Sequence, residues 1–369
     1  VRIVAFTHAL SSCWNNGNAH FLRGVLRALM ALGHEVRGFE PLNGWSRANL
    51  LADHGPGALA EFARAFPDLP VTAYGPGFDP AVAVAGADLV LVHEWNEPAL
   101  VARLGRLRAQ GGRFRLLYHD THHRAVSDPA AIRASDLSGY DGVLAFGATL
   151  AEVYRGWGWG ARAYVWHEAA DTSLFCPPRE EMARHGLAWV GNWGDDERSA
   201  ELEEFLLAPA RAGRHALDVW GVRYPAAARA ALAAQGARYH GWLANAHVPE
   251  VFATHLATVH VPRRVYASAL PGIPTIRVFE ALACGIPLVC SPWDDCERLF
   301  RPGTDFLAAR DGAEMQRHLA ALRADAGLRA TLVANGLARI RDRHTCAHRA
   351  RELLAILAAL DGAPLAGAA

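Results

Sequence analysis

Short runs of aliphatic and β-branched residues recur along the chain, and between them lie longer stretches whose apolar positions fall three and four apart. The first pattern belongs to buried strands and the second to amphipathic helices, so their alternation predicts parallel sheets covered by crossover helices. In the first half, strands are expected at Arg2 to Phe6, Glu35 to Phe39, Asp88 to Val92, Phe114 to Tyr118, Gly142 to Phe146 and Ala163 to Trp166. Helices are expected at Ala19 to Leu32, Ala48 to Phe66, Pro98 to Gln110 and Ala148 to Tyr154. The rhythm stops at Cys176-Pro177-Pro178, because Pro continues neither a helix nor a central strand, and a new series starts at Leu187. There, strands are expected at Ala216 to Trp220, Ala237 to His240, Thr258 to Val261, Pro287 to Cys290 and Asp305 to Ala308. Helices fall at Ala200 to Leu207, Ala226 to Ala234, Pro274 to Ala283, Ala313 to Ala324 and Thr345 to Leu360. The reading is α/β, with two Rossmann-like doubly wound domains over residues 1–176 and 186–343, and a helix at 344–360 crossing back to the first.

Composition narrows the function. With 369 residues, two domains are the default, and 37 basic residues against 37 acidic ones supply no overall field to draw in nucleic acid. Every basic residue is Arg, and the absence of Lys removes Schiff-base chemistry and a P-loop lysine. A bound phosphate must then be held by Arg, His or backbone amides. The six Cys form no CxxC pair, which fits free thiols in a reducing compartment. The first residues read as a strand, not a secretory leader, and no apolar run approaches the ~20 residues of a membrane span. A cytoplasmic protein is expected, with peripheral membrane contact at most.

In open parallel sheets, ligands bind beyond the carboxyl ends of the strands. The segments expected there are rich in His, Trp, Asn and Arg: Thr7 to Asn18, His93-Glu94-Trp95-Asn96, His119 to Arg124, Gly191 to Asp196 and Pro262 to Tyr266. Small residues at Asn15 to Asn18 allow backbone to approach a sugar, but no GxGxxG fingerprint supports a dinucleotide. The most informative stretch runs from Gly272 to Val289: a turn, a helix stopped by Gly285, then a buried strand. Thr275 opens this helix, Arg277 and Glu280 share one face, and free amides at the helix start suit a diphosphate. Glu280, one turn in, can accept both hydroxyls of a ribose, the alternative being an Arg-Glu surface pair with Arg277 on an ordinary crossover helix. His119 and His122 have metal-ligand spacing, yet no Cys or second carboxylate cluster accompanies them, so no metal is expected.

The stretch Pro274-Thr275-Ile276-Arg277-Val278-Phe279-Glu280-Ala281-Leu282-Ala283-Cys284-Gly285-Ile286-Pro287 resembles the nucleotide-sugar motif of the group 1 glycosyltransferases of GT-B fold. Asp171 to Pro177 resembles the end of that family's first domain, Trp189-Val190-Gly191-Asn192 its donor-domain glycine loop, and Tyr239-His240-Gly241-Trp242 with Val248-Pro249 its nucleobase loop. The Pro-Thr-x-Arg-Val-Phe-Glu helix start is nearest to the spore-maturation-type glycosyltransferase-like proteins. The resemblance implies a GT-B enzyme whose domains face each other across an interdomain cleft. It would move a sugar from a nucleotide-sugar, uridine-linked, to an acceptor with retention and without a cofactor. Donor-binding residues would be Gly191, Asn192, Trp193, Arg198, Trp242, Tyr266, Thr275, Arg277 and Glu280. Arg263 and Arg264 would stabilise the departing diphosphate, and His119 with Asp120 would serve the reaction centre. Asn15, Asn16, Gly17, Asn18 and Glu94 would face the acceptor, which is a saccharide, lipid-linked glycan, protein or small molecule. Two departures stand out: the family's Glu eight residues before the ribose Glu is Gly272 here, and its phosphate-side Lys is missing. Alternatives on the same fold are a nucleotide-sugar epimerase using Glu94 and Asp120, or a catalytically degenerate module that binds sugar nucleotide or scaffolds.

Overall fold

The computed structural model describes residues 1–180 and 182–362. The chain forms two compact units, one of residues 1–168 with 346 onward and the other of residues 169–345.

The first unit holds a seven-stranded parallel sheet in the order β3-β2-β1-β4-β5-β6-β7. The strands are β1 (Arg2–Phe6), β2 (Glu35–Pro41), β3 (Val71–Tyr74), β4 (Leu89–His93), β5 (Arg115–Asp120), β6 (Gly142–Ala145) and β7 (Ala163–Val165). Those at the centre are apolar on both faces because helices cover both: β4 is buried at all five positions. The helix Ala19–Ala31 buries Phe21, Leu22, Val25, Leu26 and Leu29 along one stripe. The helix Cys346–Leu360 packs against it and is pinned where Trp166 donates its indole N–H to the Arg349 carbonyl at 2.9 Å.

The second unit holds a six-stranded parallel sheet, β10-β9-β8-β11-β12-β13. Its strands are β8 (His185–Val190), β9 (Leu217–Trp220), β10 (Arg238–Gly241), β11 (His255–His260), β12 (Leu288–Cys290) and β13 (Leu307–Ala308). Leu187, Trp189, Val219, Val259 and Val289 meet Phe205, Leu232, Met315 and Leu319 in its core. Asp side chains start the two long helices that follow: Asp311 accepts from Glu314 N at 2.7 Å before Gly312–Ala324, and Asp325 from Leu328 N at 2.9 Å before Ala326–Arg343. Both sheets follow the 3-2-1-4-5-6 Rossmann order, so each reverses direction between its first and fourth strands.

The structure departs from the sequence expectation in several elements, among them the short helices Pro129–Arg133, Val248–Thr254 and Arg264–Ala269, which that expectation does not include. Ala48 to Phe66 is two helices, Trp45–His54 and Gly57–Ala65, because Gly55 turns left-handed at φ +69° and Pro56 follows it. β3 and the helix Ala326–Arg343 have no counterpart in that reading. The first unit's leading segment ends at Glu168, where the double proline places the domain end at 176.

Candidate active site

In the second unit the reversal point lies between β8 and β11, and Arg198 ties the loops that leave them. Its guanidinium donates to Asn192 O at 2.5 Å and Asn192 Oδ1 at 2.6 Å beyond β8, and to Val261 O at 3.1 Å beyond β11. It also lies over the Trp189 ring, 5.2 Å from the centroid. The local backbone permits this. Gly194 is left-handed at φ +81°, and a Cβ there would sit 2.5 Å from Arg198 Nε. Gly221 is equally constrained, since its Cβ would fall 2.0 Å from the Gly191 carbonyl.

Arg263 and Arg277 lie close enough to Arg198 to act on it electrostatically, and burial together with Arg263 draws Arg198 down to about 10. Arg263 is paired with Glu197 at 2.5 Å, and Arg277 with Glu280. Arg198 bonds only carbonyl-type oxygens; among the described residues no carboxylate forms an ion pair with it. His260, the last residue of β11, is bound through Nε2 to Thr275 Oγ1 at 2.9 Å, while its buried Nδ1 has no partner. Burial, with Arg198 and Arg277 nearby, lowers His260 to about 3, so the ring is neutral at pH 7. The edge therefore presents a half-buried guanidinium that, among the described residues, has no carboxylate ion pair, beside the amino end of the helix Ile276–Cys284.

Glu280 is fully buried on that helix, where Asn245 Nδ2 donates to Oε1 at 2.8 Å and Arg277 to Oε2. Asn245 and Arg277 are two of its partners, and a carboxylate offers about four lone-pair positions. The helix ends at Gly285, left-handed at φ +65°. Gly272, eight residues before Glu280, is left-handed at φ +87°, and a Cβ there would meet Cys296 Sγ at 2.8 Å and Glu297 Cγ at 2.9 Å. A side chain at this position is strained by the left-handed backbone and requires the Cys296 and Glu297 side chains to shift.

In the first unit, the carboxyl edges of β1, β4 and β5 gather a polar cluster. His8 Nδ1 is 3.3 Å from His93 Nδ1, His93 Nε2 is 3.0 Å from Thr121 Oγ1, and Asn18 Nδ2 donates to the same hydroxyl at 2.5 Å. Glu94 pairs with Arg124, whose guanidinium also covers the Trp95 face at 3.7 Å. Burial, reinforced by the neighbouring Asp120 charge, pushes the Glu94 carboxyl well above the usual range, and its Oε1 has no hydrogen-bond partner. Burial raises Asp120 to about 6, even though Tyr154 donates to it at 2.7 Å and His122 N at 3.0 Å.

The remaining sequence candidates fall unevenly. His119 is enclosed by Phe21 and Trp166, with ring centroids at 5.8 and 4.8 Å, and burial lowers it to about 3. It is a neutral core histidine, and the edge positions belong to His8 and His93. Arg264 points away to an exposed two-point pair with Glu201, at 2.8 and 3.1 Å. Tyr266 sits in the short helix Arg264–Ala269 that carries Arg264. Asn16 is buried and holds its own loop, through Ala9 O at 3.3 Å and Ser12 O at 3.4 Å; Gly17 is exposed and Asn15 is left-handed at φ +48°. Trp193 packs against Tyr224 at 5.6 Å, and Trp242 is half-buried. Asn245 and His260 escape sequence reasoning: neither lies in a recognisable motif, and His260 counts as a strand residue until the strand end is known.

Residues 198–355 match a family model described as glycosyl transferase-like. The matched stretch contains Arg198, Arg263, Arg277 and Glu280. Among solved structures, Anabaena Alr3699/HepE in complex with UDP superposes with a TM-score of 0.67 at 14% identity, over 97% of this chain and 100% of that one. Sucrose-phosphate synthase from Thermosynechococcus elongatus gives 0.68 at 16%, over 99% and 100%. T4 phage BGT in complex with its UDP-glucose substrate gives 0.60 at 12%, over 98% and 100%. The fold is GT-B. No curated protein matches the sequence. Among the described residues, no helix is long and apolar enough to cross a membrane.

Proposed function

We propose that the chain transfers a glycosyl group from a uridine-linked nucleotide-sugar to a hydroxyl-bearing acceptor, with the donor held by the second unit and the acceptor by the first. The observation that carries this reading is Arg198, a half-buried guanidinium without a carboxylate ion pair among the described residues, at the reversal point of a Rossmann sheet. A diphosphate there supplies the missing anion, and free amides of the helix after Thr275 add donors. Glu280 then accepts the ribose hydroxyls. As the sugar leaves, negative charge grows on the phosphate, and Arg198 with Arg263 binds it more strongly than in the ground state. Neutral His260 donates or accepts a hydrogen bond without adding to the local repulsion among cations.

In the first unit, Glu94 and Asp120 supply acid–base capacity: both carboxyls are raised by burial, and a raised carboxyl is a better proton acceptor for an acceptor hydroxyl. Retention follows the resembling family and is read from the anomeric configuration of the product. No cofactor takes part in the transfer step, and the enzyme works in the cytoplasm, where nucleotide-sugars are made.

Calorimetry with UDP, ADP and GDP tests the donor site, and release of UDP from a UDP-sugar panel with and without acceptors tests transfer. UDP binding with acceptor-dependent release is expected. No nucleoside diphosphate binding would overturn the reading. UDP binding without turnover on any acceptor would favour a degenerate module, which Gly272 and its crowded surroundings favour independently.

A further inference from the structure

At the opposite, amino edge of the second sheet, the first residues of two neighbouring strands are histidines. His185 opens β8, His255 opens β11 in register with it, and Asp218 is the second residue of β9 on the other side of β8. One ligand-type atom from each of the three lies within 4.8 Å of the others. The glycosyl-transfer reading uses none of these residues.

The hydrogen bonding around His255 determines what its ring presents. Its Nδ1 lies 2.7 Å from the Val251 carbonyl, which can only accept, so Nδ1 carries a proton. In the neutral ring, Nε2 is then a lone pair, and it faces Asp218 Oδ2 at 3.3 Å. Two acceptors face each other, an arrangement satisfied by a second proton on His255 or by a cation between them. Donation of the remote N–H to a backbone carbonyl is also how proteins orient metal-binding histidines. The exposed His185 ring closes the third side, with its centroid 5.1 Å from that of His255. Gly186, left-handed at φ +55°, holds this strand start against β9, since a Cβ there would lie 2.6 Å from Ala216 O.

We propose that His185, Asp218 and His255 bind a divalent transition metal of the zinc type at the amino edge of the second sheet, fastening together the starts of β8, β9 and β11. Two imidazole nitrogens and one carboxylate suit such an ion, with water completing a tetrahedral set. Arg238 is its internal competitor. That guanidinium holds Asp218 at 2.7 and 2.5 Å, yet its side chain is 59% exposed and can swing into solvent when a metal takes the carboxylate. His240, at 2.6 Å from Asp218 Oδ1 and stacked on Trp220, keeps the carboxylate oriented in either state.

The test is equilibrium binding of Zn2+ to the full chain stripped with chelator, read by competition with a chromogenic chelator, alongside the visible absorption of the Co2+ form. The wild type is expected to take up Zn2+ with a tetrahedral Co2+ spectrum and a raised Tm. His185→Ala changes only an exposed side chain, so it folds; it is expected to weaken Zn2+ by at least about tenfold and abolish the Tm rise. Arg238→Ala is expected to tighten Zn2+ binding. Absence of Zn2+ uptake by the wild type, or His185→Ala binding Zn2+ as the wild type does, would overturn the proposal. So would an Arg238→Ala chain that binds Zn2+ less tightly, since Arg238 would then support the site and not compete for it.

Discussion

Glu280→Gln keeps the shape of the side chain and removes only its charge, so it isolates what the carboxylate does. In the free protein, the fully buried Glu280 accepts from Asn245 at 2.8 Å and from Arg277, whose side chain is 17% exposed. An amide in that place turns its NH2 toward one of those donors. Breaking a buried ion pair costs about 3–5 kcal/mol. Here partial hydration of Arg277 recovers some of that, which leaves about 2–3 kcal/mol of lost stability. For a unit of this size the corresponding fall in Tm is about 5–10 °C. Nucleotide binding loses charge-assisted hydrogen bonds from the ribose, worth about 1.5–3 kcal/mol, or about 10- to 150-fold in Kd. Calorimetry with UDP and with 2′-deoxy-UDP separates this from a general disturbance. The wild type is expected to prefer UDP, and Glu280→Gln to lose the preference. A variant that still prefers UDP over the deoxy compound as strongly as the wild type would refute ribose recognition by Glu280, whatever its Tm.

Arg198→Ala is expected to weaken UDP by at least about tenfold, because it removes charge-assisted donors, whereas Arg264→Ala leaves UDP affinity and Tm unchanged; calorimetry on both variants checks the contrast. Gly272→Ala forces a side chain into a left-handed position against Cys296 and is expected to lower stability by about 1–3 kcal/mol in urea unfolding. His119 lies near 3 when folded against 6.5 when unfolded, so the unfolded chain takes up its proton first and stability falls as pH drops below 6.5. Between pH 6.5 and 5 that amounts to about 2 kcal/mol from this ring. His119→Phe is expected to flatten the stability–pH curve there by this amount. Asp120, raised to about 6, acts in the opposite sense between about 4 and 6 and is unaffected by the substitution.

The fold was legible where burial leaves a strong pattern. Central strands such as β4, buried at every position, read as continuous apolar runs, and the helix Ala19–Ala31 shows its stripe plainly. Two of the larger misses are elements with weak burial. β3 is an edge strand with no buried residue, so Val71-Thr72-Ala73-Tyr74 carries no apolar contrast with its neighbours. The 18-residue helix Ala326–Arg343 buries only Leu332, Gly336 and Ile340, a line too thin to stand out among its arginines.

The candidate site divides on different physics. Glu280 was legible because its position depends on one local element, a helix whose start and Gly285 stop are both written in the chain. The arginines were not, because what distinguishes them is which carboxylate each one meets. Arg263 and Arg264 are adjacent, yet one precedes the first helical turn and pairs with Glu197, while the other begins that turn and is drawn outward by Glu201. Arg198 differs from both in meeting carbonyl oxygens alone, from loops more than sixty residues apart. A sequence records the number of charges of each sign, here equal; it does not record which cation is left without an anion after the chain has folded. A guanidinium with no carboxylate ion pair among the described residues, at the reversal point of the sheet, is what a diphosphate would recognise, and it is left so once Glu197, Glu201 and Glu280 have formed their ion pairs with Arg263, Arg264 and Arg277.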